Sequence, residues 1–310
     1  MADKPLVIGS RGSPLALRQS ELVKSRLSEA QPHLPITVRR ILTTGDRRAG
    51  PPLHQIGGKG VFTKEIEEAL LRGEIDLAVH SLKDLPTRLP DGLCLGAITA
   101  REDARDAFLS NRFGCLAALP LRSTVGTSSL RRQCQLLHLR PDLQVKNLRG
   151  NLDTRLRKLD AGDYDAIILA CAGLIRLGLD HRIREKLSVD TICPAIGQGA
   201  LAVEVRCDDR LTLERIQGLD DGDSRKAAEA ERSLLGRLGG GCQVPIAGFA
   251  VVHESQLQLT GLVGAADGSR LIREFGQAPL EEPAQLGRSV ARRLLDRGAG
   301  ELLRMTGLTM

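Results

Sequence analysis

Residues 165–170 (Asp-Ala-Ile-Ile-Leu-Ala) form a nearly all-apolar run that reads as a strand buried on both faces, and such a strand belongs in a sheet covered by helices on either side. Similar units recur along the chain. Residues 5–9 read as a buried strand, followed by Ser10-Arg11-Gly12-Ser13-Pro14 and a helical pattern to about residue 30. A second strand is expected over 36–42, a helix over 62–71 and a short strand over 75–79. A further strand ends in the hydroxyl-rich turn Thr127-Ser128-Ser129 and hands over to a helix near 130–139. The stretch 145–151 repeats that arrangement, with Asp153, Thr154 and Arg155 opening the next helix. After Gly222 the pattern changes to one helix, a Gly239-Gly240-Gly241-Cys242 turn, strands over 246–252, 256–263 and 271–275, and a last helix over 281–297. Short polar turns such as Asp267-Gly268-Ser269 make these strands a small antiparallel sheet. The class expected is α/β, with two α/β domains and a small α+β C-terminal domain.

At 310 residues the chain has room for two or three domains. Charged residues make up 26% and hydrophobics 42%, the balance of a soluble globular protein. There is no run of 18 apolar residues, and the N-terminus enters a strand without a signal-like segment, so a cytoplasmic protein is expected. The seven cysteines, at 94, 115, 134, 171, 193, 207 and 242, form no CxxC pair, and the six histidines have no HxxxH spacing, so no metal site is expected. Aromatic content is only 2%, with no Trp, which argues against readers that stack nucleic-acid bases. The net charge of +6 comes from basic residues set singly after strands, which suits a small polyanionic ligand better than a DNA duplex.

Ser13 can cap the first helix with Pro14 at its first position, leaving backbone N–H groups beside Arg11 as an anion site or as an ordinary capped turn. Between 46 and 60 lies a Gly/Pro-rich stretch containing Lys59, either a lid over a site or a plain unstructured connection. His80-Ser81-Leu82-Lys83-Asp84-Leu85-Pro86 sets a hydroxyl, an ammonium and a carboxylate at the C-terminal end of a strand, the edge where ligands bind in open α/β sheets. Arg131 and Arg132 occupy a first helical turn, where acidic residues are the usual preference, and that reversal points to a bound anion. Arg149, Arg155 and Arg176 sit at equivalent strand-to-helix edges. Pro194-Ala195-Ile196-Gly197-Gln198-Gly199 reads as a hinge between domains, paired with a first crossing near 99–106. Cys242, carried on three glycines, is either a thiol held out for chemistry or a small hydrophobe opening a strand.

Together the motifs RGSPLALRQ (11–19), GGKGVFTKEIEEAL (57–70), HSLKDLP (80–86), VGTSSLRR (125–132), NLRGNLDTRL (147–156), PAIGQGALAVE (194–204) and GGGCQVPI (239–246) resemble the porphobilinogen deaminase family, also called hydroxymethylbilane synthases, over essentially the whole chain. That resemblance implies two hinged domains like those of type II periplasmic binding proteins, 1–99 with 200–218 and 105–193. A third domain, 222–310, would carry the cysteine, with hinges near 99–105 and 194–199. It implies a transferase of tetrapyrrole and haem biosynthesis that condenses four porphobilinogen molecules head to tail. Four ammonia are lost, and water then releases the linear tetrapyrrole. The cofactor implied is a dipyrromethane joined by a thioether to Cys242, with Ser81, Lys83, Asp84, Thr127, Ser129, Arg131, Arg132, Arg149, Gly150, Arg155 and Gly173 around it. Substrate contacts fall by resemblance to Arg11, Ser13, Gln19, Lys59, Phe62, Arg149, Arg155, Arg176 and Gln198. Asp84 is the carboxylate that would assist proton transfer at the leaving amine. The implied partner is porphobilinogen alone, with no nucleic acid or membrane, and the protein would be a monomer. Two other readings stand beside this one: a non-catalytic two-lobed dicarboxylate-binding protein, and a transferase using Cys242 as a transient nucleophile.

Overall fold

The computed structural model describes residues 4–43, 63–239 and 244–305. In chain order the elements are β1 (Leu6–Arg11), α1 (Pro14–Ala30), β2 (Ile36–Ile41), α2 (Lys64–Leu71), β3 (Leu77–Ser81), β4 (Leu93–Ile98) and β5 (Asp106–Leu109). There follow β6 (Thr124–Gly126), α3 (Leu130–Leu139), β7 (Gln144–Lys146), α4 (Leu152–Asp160), β8 (Ala166–Ala170), α5 (Cys171–Arg176), β9 (Glu185–Leu187) and β10 (Leu201–Arg206). The remainder is α6 (Arg210–Ile216), α7 (Gly222–Arg237), β11 (Ile246–His253), β12 (Gln256–Gly264), β13 (Leu271–Pro279), α8 (Pro283–Asp296) and α9 (Ala299–Met305). The chain divides into two compact units, Met1–Arg101 with Ala200–Arg225, and Glu102–Gly199 with Lys226–Met310.

The first unit is a five-stranded sheet of order β2-β1-β3-β10-β4. Strands β2, β1 and β3 run parallel, and β10 pairs antiparallel with β3 and β4. Ser13 accepts a hydrogen bond from the Ala16 amide and Pro14 takes the first helical position, so α1 starts where the sequence says it should. Val23 and Leu27 of α1 pack on Leu6, Ile8, Leu77, Val79, Leu201 and Val203 to form one core. On the opposite face Ile66, Ala69 and Leu70 of α2 pack on Ile75, Ala78 and Leu93. Both faces of β3 are thus covered, which explains why Leu77, Ala78, Val79 and His80 are all buried.

The second unit holds two sheets. The larger repeats the first unit's scheme in the order β7-β6-β8-β5-β9, with β6 parallel to β7 and β8, and β5 antiparallel to β8 and β9. The smaller is the antiparallel β11-β12-β13, backed by Leu234 of α7 and Val290 and Leu294 of α8 over Leu257 and Leu259. Cys193, in the segment after β9, packs on Ala247 and Leu262 of the smaller sheet, and Gln133 of α3 donates its side-chain amide to the Ala266 carbonyl at 3.1 Å. Gly268 closes this contact. Its backbone has φ +74°, and a Cβ there would stand 2.5 Å from the His138 amide nitrogen, so the Asp-Gly-Ser turn can approach α3 only with glycine at its centre.

The α/β class, with two sheets of mixed direction and a small antiparallel third, is the architecture expected. Several local expectations shift. The strand expected over 75–79 is Leu77–Ser81, because antiparallel pairing of Ser81 with Leu201 and His80 with Ala202 draws it two residues onward. Residues 171–176 form α5, which had no counterpart in the sequence reading, β13 runs four residues past Phe275, and α9 follows the helix read as the last. Strands β4, β5 and β9 had no counterpart in the sequence reading.

Candidate active site

In the first unit the sequence-predicted residues gather where parallel β1 and β3 leave the sheet, at Arg11 and Ser81. Ser81 is held from one side by the buried Gln19 of α1, whose Nε2 donates to the Ser81 hydroxyl at 2.9 Å. From there the backbone makes one 3₁₀ turn, Leu82–Asp84, with the Leu82 amide on the Ala200 carbonyl (3.1 Å) and the Leu85 amide on the Leu82 carbonyl (3.2 Å). In a 3₁₀ turn residues three apart share a side, so burial of Leu82 and Leu85 turns the intervening pair outward. Lys83 is half-buried and Asp84 exposed. An acid is therefore displayed from a short, doubly anchored turn, with a hydroxyl and an ammonium beside it.

In the second unit Thr127 is buried, its amide on the Lys146 carbonyl (2.9 Å) and its hydroxyl accepting from the Ser129 amide (3.2 Å). Ser129 stands at the N-cap of α3, yet its side chain does not cap the helix. By contrast, α4 is capped by Asn151 through the Thr154 amide at 2.9 Å. Gly150 has φ +110°, and a Cβ there would fall 2.6 Å from Thr154, so the turn from β7 into α4 depends on glycine. Arg155 Nε donates to the Gly150 carbonyl at 2.9 Å and steadies that turn. Arg149 is half-buried and has no ion pair among the described residues. Gly173 lies half-buried within α5.

Three expected ligand contacts prove to be committed internally. Arg131 Nη1 and Arg132 Nη2 each donate to Asp106 at 2.7 Å, and Gln198 Nε2 reaches the same carboxylate at 2.9 Å. Asp106 is wholly buried, and the two guanidiniums are nearly so. Arg131 also donates to the Cys193 carbonyl (2.7 Å) and Arg132 to that of Ile168 (3.0 Å). Burial pushes the Asp106 carboxyl up, but the two guanidiniums outweigh it and hold it well below the usual carboxylate range. The anion signalled by the basic first turn of α3 is therefore, at least in part, one of the protein's own. Asp106 escaped the sequence reading; its only signal was an acid at the head of an apolar run. The neighbouring segment 194–199 is likewise pinned within this unit. The Gly197 amide donates to Glu231 at 2.6 Å, and Arg176 Nη2 donates to the Gly199 carbonyl at 2.5 Å.

Cys242, Lys59 and Phe62 lie outside the described residues. Of the other thiols, those of Cys134, Cys171 and Cys193 are buried, and burial pushes each up to about 12, which leaves almost no thiolate at neutral pH. Among the described residues no cluster of His, Cys, Asp and Glu could hold a metal ion, and no helix is long and apolar enough to cross a membrane.

The family description "Porphobilinogen deaminase, dipyromethane cofactor binding domain" matches residues 6–214, and "Porphobilinogen deaminase, C-terminal domain" matches 226–296. A porphobilinogen deaminase from Pelobacter propionicus is 50% identical over 303 residues, covering 98% of this chain and 97% of that protein. Among solved structures, a putative methionine-binding lipoprotein from Bacillus subtilis aligns at 13% identity with a TM-score of 0.42, over 70% of this chain and 90% of its own. A periplasmic substrate-binding protein of an ABC transporter from Coxiella burnetii aligns at 14% identity and 0.44, over 69% and 91%.

Proposed function

Because this chain belongs to the porphobilinogen deaminase family, we propose that Asp84 is its acid–base carboxylate and that Cys242 carries its cofactor. The activity is that of a hydroxymethylbilane synthase, a transferase of tetrapyrrole biosynthesis that joins porphobilinogen units on a dipyrromethane. When bound, the dipyrromethane supplies the free pyrrole α-carbon from which the product grows.

The observation that carries the Asp84 assignment is the turn itself, which displays one exposed carboxylate from between two buried leucines. A carboxylate so held can keep or move a proton at the departing amine and stabilise positive charge as it develops, with little reorganisation. Ser81, fixed by Gln19, and Lys83 supply a hydroxyl and a cation beside it. The residues present also suit a polycarboxylate: the N-terminus of α3 has no side-chain cap, and Arg149 has no ion pair among the described residues. In this reading Arg11, Lys83, Arg149 and Arg155 bind acetate and propionate groups, helped by Ser13 and Ser129. The contribution of Arg131 and Arg132 is narrower than their sequence suggested, since each already gives one arm of its fork to Asp106. Gln198, Arg176 and Thr127 shape the backbone around them, and Gly150 and Gly173 keep it close and open. Lys59 and Phe62 take their substrate roles from the motif alone. The division into 1–99 with 200–218, 105–193 and 222–310 is part of the same proposal, supported by a separate apolar core under each sheet. So are a monomeric state, a cytoplasmic location and the absence of nucleic-acid or membrane partners.

Two measurements test this. Intact mass of the denatured protein should exceed the bare chain by two porphobilinogen units less two ammonia, and the Cys242→Ser protein should lack that excess. Asp84→Asn should keep the added mass while turnover falls by about 10²-fold or more. Near-normal turnover in that variant would remove Asp84 from the mechanism.

A further inference from the structure

Three ionisable residues in the quoted motifs are left without a role: Glu67 in KEIEEAL, His80 at the head of HSLKDLP and Glu204 at the end of ALAVE. The fold brings them together. Along β3 and β10 side chains alternate: Leu77, Val79, Leu201, Val203 and Val205 belong to the core shared with α1. The intervening positions Ala78, His80, Ala202 and Glu204 face the opposite layer, where α2 lies over Ile75, Ala78 and Leu93. Glu67 enters that apolar layer from α2. Exposures are 8% for Glu67, 6% for His80 and 0% for Glu204.

His80 Nε2 lies 3.0 Å from Glu204 Oε2, yet neither Glu204 oxygen receives a hydrogen bond from a described residue. A carboxylate with no exposure and so little hydrogen bonding weakens the strand that carries it, and valine or leucine there would pack without that cost. Its position suggests what the cost secures. The β3–β10 register pairs His80 with Ala202 and Ser81 with Leu201, and the Leu82 amide continues the ladder to the Ala200 carbonyl. The His80–Glu204 contact therefore runs diagonally across the two strands, from the rung His80–Ala202 to the rung Ala78–Glu204, close to the turn that displays Lys83 and Asp84. Glu67 brings a second carboxyl into the same layer from α2.

We infer that Glu204, with His80 and Glu67, is a positioning cluster for Asp84, a buried polar clamp that fixes the angle at which β3 hands over to the catalytic turn. The inference rests on the assignment of Asp84 above. Burial, followed by the charges of Glu204 and Glu68, pushes the Glu67 carboxyl above its usual range against the opposing effects of Thr63 and His80.

The test uses the cofactor-loaded protein and the Glu204→Gln, Asp84→Asn and double variants, each normalised to the molecules whose mass includes the cofactor. Glu204→Gln should lower kcat per loaded molecule about tenfold or more, the scale of a small misplacement of a catalytic group, with KM for porphobilinogen within about twofold. Added to Asp84→Asn, it should cost less than about threefold further, since its effect runs through the carboxylate already removed. An unchanged kcat per loaded molecule, or losses that multiply in the double variant, would overturn the inference. If Glu204→Gln yields no folded protein, His80→Gln is measured in the same way, with the same two outcomes. The two readings fail separately. Normal turnover of Asp84→Asn removes the catalytic assignment, whereas an inactive Asp84→Asn beside a fully active Glu204→Gln removes only the clamp.

Discussion

After β6 the chain turns through Thr127, Ser128 and Ser129 into α3, with Arg131 and Arg132 in its first turn. After β7 it turns through Arg149, Gly150 and Asn151 into α4, with Arg155 close behind. In sequence these are two versions of one phrase. In the fold the first pair of guanidiniums points inward onto Asp106, and its helix is left without a side-chain cap. Around the second helix the cap is made by Asn151, while Arg149 and Arg155 stay half-buried near the surface. A basic first turn therefore announces an anion without saying whose it is. Where a buried acid from a neighbouring strand supplies it, arginine becomes part of the core, and where none does, as at Arg149, it stays half-buried at the surface.

The sharpest way to break this contrast is Asp106→Ala, which strands two buried guanidiniums. Its unfolding in urea should show a loss of about 3–5 kcal/mol. Arg149→Ala should change stability by no more than about 0.5 kcal/mol. Equal losses in the two variants would mean that the buried, Asp106-paired arginines and the half-buried Arg149 do not differ. The next effect belongs to activity: Arg149→Ala should lower kcat/KM by about 10- to 100-fold, the worth of a charge-assisted hydrogen bond to a carboxylate, and Arg149→Lys should recover only part of it. Activity unaltered in Arg149→Ala would take that residue out of the site. The smallest effect is on pH. The Asp106 carboxyl is held below its unfolded value, so its contribution to stability is complete above about pH 3.9 and is lost as pH falls from there toward the folded value. The stability gap between wild type and Asp106→Asn should accordingly be constant from pH 5 to 7 and narrow below about 3.9. A gap that widened in acid would show the sign to be wrong.

What could be read in advance was whatever depends on neighbours in the chain. Ser13 with Pro14 starts α1 as expected, the polar turn at 267–269 joins two strands, and the Lys83–Asp84 turn follows a buried strand. What could not be read depends on pairing between distant segments. Asp106 is buried because β5 enters between β8 and β9, and Ser81 is still in a strand because β10 arrives beside it from 120 positions away. The same limit hid Glu204. It stood inside a quoted motif, and only the pairing with β3, which sets it opposite Ala78, brings it within 3.0 Å of His80.

The strand order β2-β1-β3-β10-β4 also bears on how the protein is made. Strands β3 and β4 are synthesised early, but the strand that belongs between them follows about a hundred residues later, after the whole of the second five-stranded sheet. At ribosomal speeds of about 5–20 residues per second, that is a wait of roughly 5–20 seconds in which both edges stand unpaired. During that interval β3 carries a buried-type apolar face and an open row of N–H and C=O groups, the combination that invites other chains to pair with it. The first unit is thus begun first and completed only after β10 emerges, and a nascent chain halted between β4 and β10 should be the form most in need of a chaperone.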